Sequence, residues 1–173
     1  SGFDDPWALG TPAGQECPSG DGCWATRLDG DYGDCEAGAL LSPTLDLSAC
    51  AGEPDAVSLT FWHLFRFEAG TEAHYDGGAV QLSADGGQTW AEISPSPEYT
   101  GPIEGTYDEC AGTPAISGLQ GWSAIIDGED WTQVSVDVDD TFRTDAFRVR
   151  FLFGSDRGVT DEGWYIDDVA VEV

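Results

Sequence analysis

The sequence predicts an all-β sandwich. Short runs of alternating apolar and polar residues recur along the whole chain, and turns rich in Gly, Pro and Asp separate them. No stretch sustains the 3.6-residue apolar repeat of a helix. No shift in composition divides the chain, so residues 1–173 are expected to form one domain with a single core.

Residues 1–22 hold Trp7 and Leu9 among turn residues, which predicts a short edge strand and a loop. Cys23–Leu28 is the first clear strand. Asp29–Glu36 reads as a tight acidic loop, and Ala39–Leu41 and Leu45–Leu47 are short apolar segments around Ser42 and Pro43. Val57–Phe67 carries the strongest pattern. Val57, Leu59, Phe61, His63, Phe65 and Phe67 share one face, and apolar residues on the other face too suggest a central strand. His63 therefore reads as a satisfied core histidine, and His74 lies in a loop with no histidine nearby in sequence.

Gly78–Ser83 and Thr89–Ile93 flank Asp85-Gly86-Gly87 as a hairpin. The piece from Ser83 to Trp90 fits the S-x-D-x-G-x-T-W pattern of an Asp-box and resembles the hairpins of sialidase propellers. A propeller repeats the motif in successive blades, and here it stands once, so a local structural role is expected. Asp85 can cap turn amides, Gly87 can take a positive φ, and Trp90 can pack over the turn.

Residues 94–121 form a long connection that holds Tyr99, Tyr107 and Cys110. Thr132–Val138 puts Val134, Val136 and Val138 on one face. Ala146–Phe153 turns Phe147, Val149, Phe151 and Phe153 inward and Arg148 and Arg150 outward. The last strand begins near Tyr165. Strict alternation puts Tyr165, Asp167, Val169, Val171 and Val173 on one face, read as the core face, which leaves the Asp167 carboxylate pointing inward.

The net charge is −27, from 33 acidic residues against six Arg and no Lys. A field of that sign repels phosphate backbones and anionic lipid, which excludes nucleic acid as a partner, and it suits divalent cations. No apolar run approaches membrane-spanning length. The chain has no Met and no signal peptide, which reads as a mature or excised segment of a larger secreted protein.

Five cysteines, Cys17, Cys23, Cys35, Cys50 and Cys110, sit in loops without C-x-x-C spacing. Loop placement favours disulfides in an oxidising compartment. Cys17 and Cys23 are expected to pair, since Pro18 and Gly20 let the chain turn back. Cys35 is expected to join Cys110 or Cys50.

Acidic clusters are the chemistry-bearing features. A buried lone carboxylate at Asp167 needs a partner, and six Arg cannot serve 33 carboxylates. The first candidate calcium site therefore joins Asp167 and Asp168 with Asp4 and with Asp29 and Asp31. The second joins Glu68, Glu72 and Asp76 with Asp156, Asp161 and Glu162. Calcium takes six to eight oxygens, and ligands distant in sequence are normal. Tyr99, Tyr107, Trp122 and Trp131 lie in or beside loops and are candidate platforms for stacking on sugar rings. Carboxylate pairs are too plentiful to single out a glycosidase pair, and neither a nucleophile–His arrangement nor a zinc motif is evident, so no enzyme is expected.

Several blocks occur together and in order over residues 3–173. They are Trp24–Tyr32, Leu41-Ser42-Pro43 with Leu45–Ser48, Phe61-Trp62-His63, Tyr75–Gly78, the Asp85–Trp90 hairpin and Gly163–Val169. Together they resemble the MAM-like domain of immune inhibitor A-type secreted bacterial metallopeptidases. That resemblance implies a galactose-binding-like jelly roll, often calcium-stabilised and non-catalytic. The peptidase's H-E-x-x-H helix is absent, Arg66 stands where an acidic residue is expected, and the segment around Cys110 is an elaboration found in part of the family. The expected function is a secreted, calcium-stabilised module that recognises a polysaccharide or a cell-surface protein. The alternative is a structural or adhesive spacer with no ligand beyond the metal, and a hydrolase ranks below both.

Overall fold

The computed structural model describes residues 6–68, 70, 73–104, 110, 116–123 and 130–173. Its strands are β1 (Ala8–Gly10), β2 (Cys23–Ala25), β3 (Ala37–Leu41), β4 (Ser58–Arg66), β5 (Gly77–Ser83), β6 (Ala91–Glu92), β7 (Gly101–Pro102), β8 (Gln120–Gly121), β9 (Thr132–Asp137), β10 (Arg148–Gly154) and β11 (Gly163–Glu172). They form a five-stranded sheet, β1-β2-β11-β4-β9, a four-stranded sheet, β3-β10-β5-β6, and the small pair β7-β8. All pairings are antiparallel. From β2 to β5 and from β9 to β11 the chain crosses between the two large sheets at every connection, which makes this sandwich a jelly roll. Among the described residues no helix is long and apolar enough to cross a membrane.

The core lies between the sheets. β4 contributes Leu59 and Phe61, β10 contributes Val149, Phe151 and Phe153, and β11 contributes Trp164 and Ile166, all 3% exposed or less. Rings meet edge to face, as in Phe61 against Phe151 at 5.1 Å between centroids. Gly78 is required here. A Cβ at that position would sit 2.4 Å from two carbons of the Trp164 ring.

His63 is 3% exposed, accepts a hydrogen bond at Nδ1 from Trp164 Nε1 at 3.3 Å, and packs against Trp122, as a core histidine should. Burial lowers its pKa to about 3. In the Asp85 hairpin, Asp85 accepts from the Gln88 and Thr89 amides and from the Ser83 and Thr89 hydroxyls, which holds its carboxyl down at about 2. Gly87 adopts φ +94°, and the Arg150 guanidinium lies 4.4 Å over the Trp90 ring.

The expected face of β11 is corrected. Trp164 and Ile166 point into the core, while Tyr165 and Asp167 point to the outer face of the sheet. Register shifts between Asp167 and Ala170, where Asp168 takes φ +49°. This bulge resets the alternation, so Val171 packs on the core, whereas Val169 and Val173 are exposed. Ala25, Leu64 and Tyr165 form a second apolar cluster on that outer face, with Leu28 and Trp131 packed on it.

Cys17 is bonded to Cys23, and Cys35 to Cys110, which decides between the two partners left open for Cys35. Cys50 keeps a free thiol.

Candidate metal centre and binding face

Register brings three carboxylates from separate loops to one end of the sandwich. Gly77 at the start of β5 pairs with Gly154 at the end of β10, so Asp76 and Asp156 flank the same strand ends. Glu68 follows β4 by two residues. One oxygen from each of Glu68, Asp76 and Asp156 lies within 4.8 Å of the others. Asp76 is the buried member, at 1% exposure. Its Oδ2 accepts from the Tyr32 hydroxyl at 2.7 Å, and its Oδ1 accepts from the Asp156 amide at 2.7 Å. The Tyr32 hydroxyl oxygen in turn accepts from the Glu68 amide at 2.9 Å.

Burial pushes the Asp76 carboxyl up to about 7, with the Asp156 and Glu68 charges adding to the effect. Burial and the Asp156 charge raise Glu68, and burial with the Asp76 charge raises the Tyr32 hydroxyl. The Asp156 charge raises both Glu68 and Asp76, and the Glu68 charge raises Asp76 further, an opposition that a divalent cation would relieve. Hard oxygen ligands suit calcium. The Cys35 amide donates to the Asp156 carbonyl at 2.8 Å, so the Cys35–Cys110 bridge is anchored against this site.

Of the second predicted cluster, Glu68, Asp76 and Asp156 come together. Asp161 and Glu162 stay beside the group. The Asp161 carbonyl accepts from the Tyr32 amide, and Glu162 pairs with Arg66, the residue found where an acidic one was expected. Glu72 lies outside the described residues.

The first predicted cluster does not form a three-ligand group among the described residues. Asp167 is 9% exposed, but its Oδ2 accepts from the Ser19 amide at 2.9 Å and hydroxyl at 2.8 Å, and its Oδ1 from the Asp168 amide at 2.9 Å. Hydrogen bonds from the Cys17–Cys23 loop thus compensate the charge that seemed to need an ion. Asp168 is exposed. Asp29 and Asp31 line an open groove of about 430 Å³ with Glu162 and Tyr165. Asp4 lies outside the described residues.

The predicted sugar platforms are also corrected. Trp122 is 2% exposed, because its backbone bridges Gly78 and draws the indole into the core. Tyr99 packs on it at 4.5 Å, and the Tyr99 hydroxyl bonds both backbone groups of Val80. Trp131 packs on Tyr165, and its Nε1 donates to the Glu16 carbonyl at 2.8 Å, which ties the N-terminal loop over the outer face. Tyr107 lies outside the described residues.

The aromatic that sequence reasoning passed over is Trp62. It sits mid-strand on the outer face of β4, half-buried. Its register partners are Asp167 on β11 and Gln133 on β9. Among the described residues it joins no apolar cluster, no ring pair and no hydrogen bond. The polar residues alternating with apolar ones around it were the available signal.

No protein-family model matches the chain, and no curated protein matches it. The MAM-like family is not confirmed by these comparisons. Among solved structures, the chain is similar to the crystal structure of CBM27-1 from Caldicellulosiruptor saccharolyticus in complex with mannohexaose. The TM-score is 0.43 at 16% identity, over 94% of this chain and 80% of that one.

Proposed function

We propose that this domain is a non-catalytic, extracellular recognition module that binds polysaccharide and is stabilised by calcium at Glu68, Asp76 and Asp156. The observation that carries recognition is Trp62, a large aromatic on an outer sheet face with no internal partner among the described residues. Burying a second face of such a ring against a sugar is its natural use. The carboxylate group supports the calcium assignment, and the two disulfides fit an oxidising extracellular setting.

The test is affinity electrophoresis and calorimetry against a panel of soluble polysaccharides, with and without calcium. Retarded migration with at least one polymer is expected. No binding across the panel overturns the recognition reading and leaves the spacer, for which pinning of the loops by ion and disulfides would be the whole purpose. Turnover of a glycoside or peptide substrate, abolished by a single carboxylate substitution, would overturn the non-catalytic part.

A further inference from the structure

We infer that the outer face of β4 and β9 binds a neutral, hydroxyl-rich polysaccharide chain laid along the strands, with Trp62 as stacking platform and Gln133, Ser135 and Thr60 as its hydrogen-bonding partners. This rests on the recognition reading above and gives it a place and a ligand class.

Three register pairs build the face: Ser58 with Asp137, Thr60 with Ser135 and Trp62 with Gln133. Residues directly opposite in an antiparallel pair share a side of the sheet. The side is fixed by the residues between them. Leu59, Phe61, Val134 and Val136 are 2% exposed or less and point into the core, so the three pairs point outward. Gln133, Ser135 and Asp137 are exposed. Among the described residues none of these six side chains makes a hydrogen bond or ion pair. The free groups are therefore one indole, one amide, three hydroxyls and one carboxylate.

Hydroxyls and an amide both donate and accept, as sugar hydroxyls do, and the indole offers a flat apolar surface to the C–H face of a ring. From Trp62 to Ser58 the ladder runs about 13 Å at the usual rise of a strand. That fits a short run of sugar units lying parallel to β4. Asp167, on the other side of Trp62, has its oxygens engaged by Ser19 and Asp168 and closes the site rather than serving it.

Charge selects the class. The ladder holds no basic group and one carboxylate, on a chain of net charge −27. Sulfated and uronate polymers would be repelled, and neutral ones would not.

The experiment titrates hydroxyethylcellulose, galactomannan, arabinoxylan, polygalacturonate and heparin into the wild-type protein and into W62A, W62F, Q133A and the opposite-sheet control W90A. Melting curves of every variant check folding. Binding of at least one neutral polymer is expected, weakened about tenfold or more in W62A, less in Q133A, and largely kept in W62F and W90A. Neutral binding unchanged in W62A overturns this site and leaves the recognition reading standing. Binding of the acidic polymers alone overturns the ligand class. Binding of none overturns the site and the recognition reading together. If W62A misfolds, Q133A decides the site: unchanged affinity overturns it.

Discussion

The Tyr32 hydroxyl stands between Asp76 and Glu68, donating to the Asp76 carboxylate at 2.7 Å and accepting from the Glu68 amide at 2.9 Å. Both residues it connects belong to the carboxylate group, and Tyr32 itself is 1% exposed against Phe67 and Phe153. One oxygen thus fixes two of the three candidate ligands. Tyr32→Phe should keep the ring packing and leave a buried acceptor and a donor unmatched. The expected loss is about 1–3 kcal/mol of unfolding free energy in chelator. The loss should shrink in saturating calcium, which takes over the Asp76 oxygen. Urea denaturation under both conditions measures it, and equal losses would speak against an ion at Asp76.

Calcium itself should raise stability by mass action. At a hundredfold excess over Kd the gain is about 2.7 kcal/mol. For a chain of this size that corresponds to roughly 5–10 °C in Tm. Asp76→Asn keeps the shape while removing a charge that burial disfavours. Its single amide oxygen can accept from only one of the Asp156 amide and the Tyr32 hydroxyl, so it should lose about 1–3 kcal/mol in chelator and show no rise with calcium. Asp167→Ala, by contrast, should leave the calcium response intact. An Asp167 variant that abolished the response would return the ion to the other end of β11.

The two disulfides should differ in worth. Their sequence separations are 6 for Cys17–Cys23 and 75 for Cys35–Cys110. In the chain-entropy account the short loop contributes about 2 kcal/mol and the long one about 4 kcal/mol. Paired Cys→Ser variants, compared by urea midpoint, test the order. The long-loop variant should also weaken calcium binding, because Cys35 is bonded to Asp156.

His63 sets a pH dependence. Burial lowers its folded-state pKa from the ordinary 6.5 to about 3, so the unfolded chain takes up a proton that the fold refuses. The stabilisation is complete above about pH 6.5 and is lost as pH falls toward 3. One proton corresponds to about 1.4 kcal/mol per pH unit. Between pH 6 and 4 the wild type should lose stability more steeply than His63→Gln by up to that slope. Parallel curves would mean that His63 is not held neutral.

The strands were legible where side-chain alternation ran unbroken. Val57–Phe67 and Ala146–Phe153 were read correctly to their inward faces, because each crosses the sandwich without interruption. β11 was read to the wrong face because one bulge at Asp168 reverses the parity of everything before it, and the sequence marks that bulge only by adjacent aspartates. Trp122 is buried and Tyr99 half-buried against it, in or beside a connection without periodicity, so nothing local distinguished them from exposed loop aromatics. Glu68, Asp76 and Asp156 are neighbours only through the β5–β10 register and the loop after β4. Trp62 was hidden by its own strand. Apolar residues on both faces of β4 marked it as central, but the outer cover reaches Leu64 and stops short of Trp62.

The position of β11 also governs the order in which this molecule can be made. It lies between β2 and β4, and follows every other described strand in the sequence. A chain leaving a ribosome or a translocon N-terminus first carries β2 and β4 with no strand between them until residue 163 has emerged. Until then both have a hydrogen-bonding edge unfilled, and the core lacks Trp164 and Ile166. β4 can already pair with β9, and the four-stranded sheet can already close, so a half-sandwich with bare edges on β2 and β4 precedes the native state. Such pairings across most of the chain make for slow closure. An exposed edge during that interval is where a second chain would add itself. Insertion of β11 is therefore the step at which this domain either seals or aggregates.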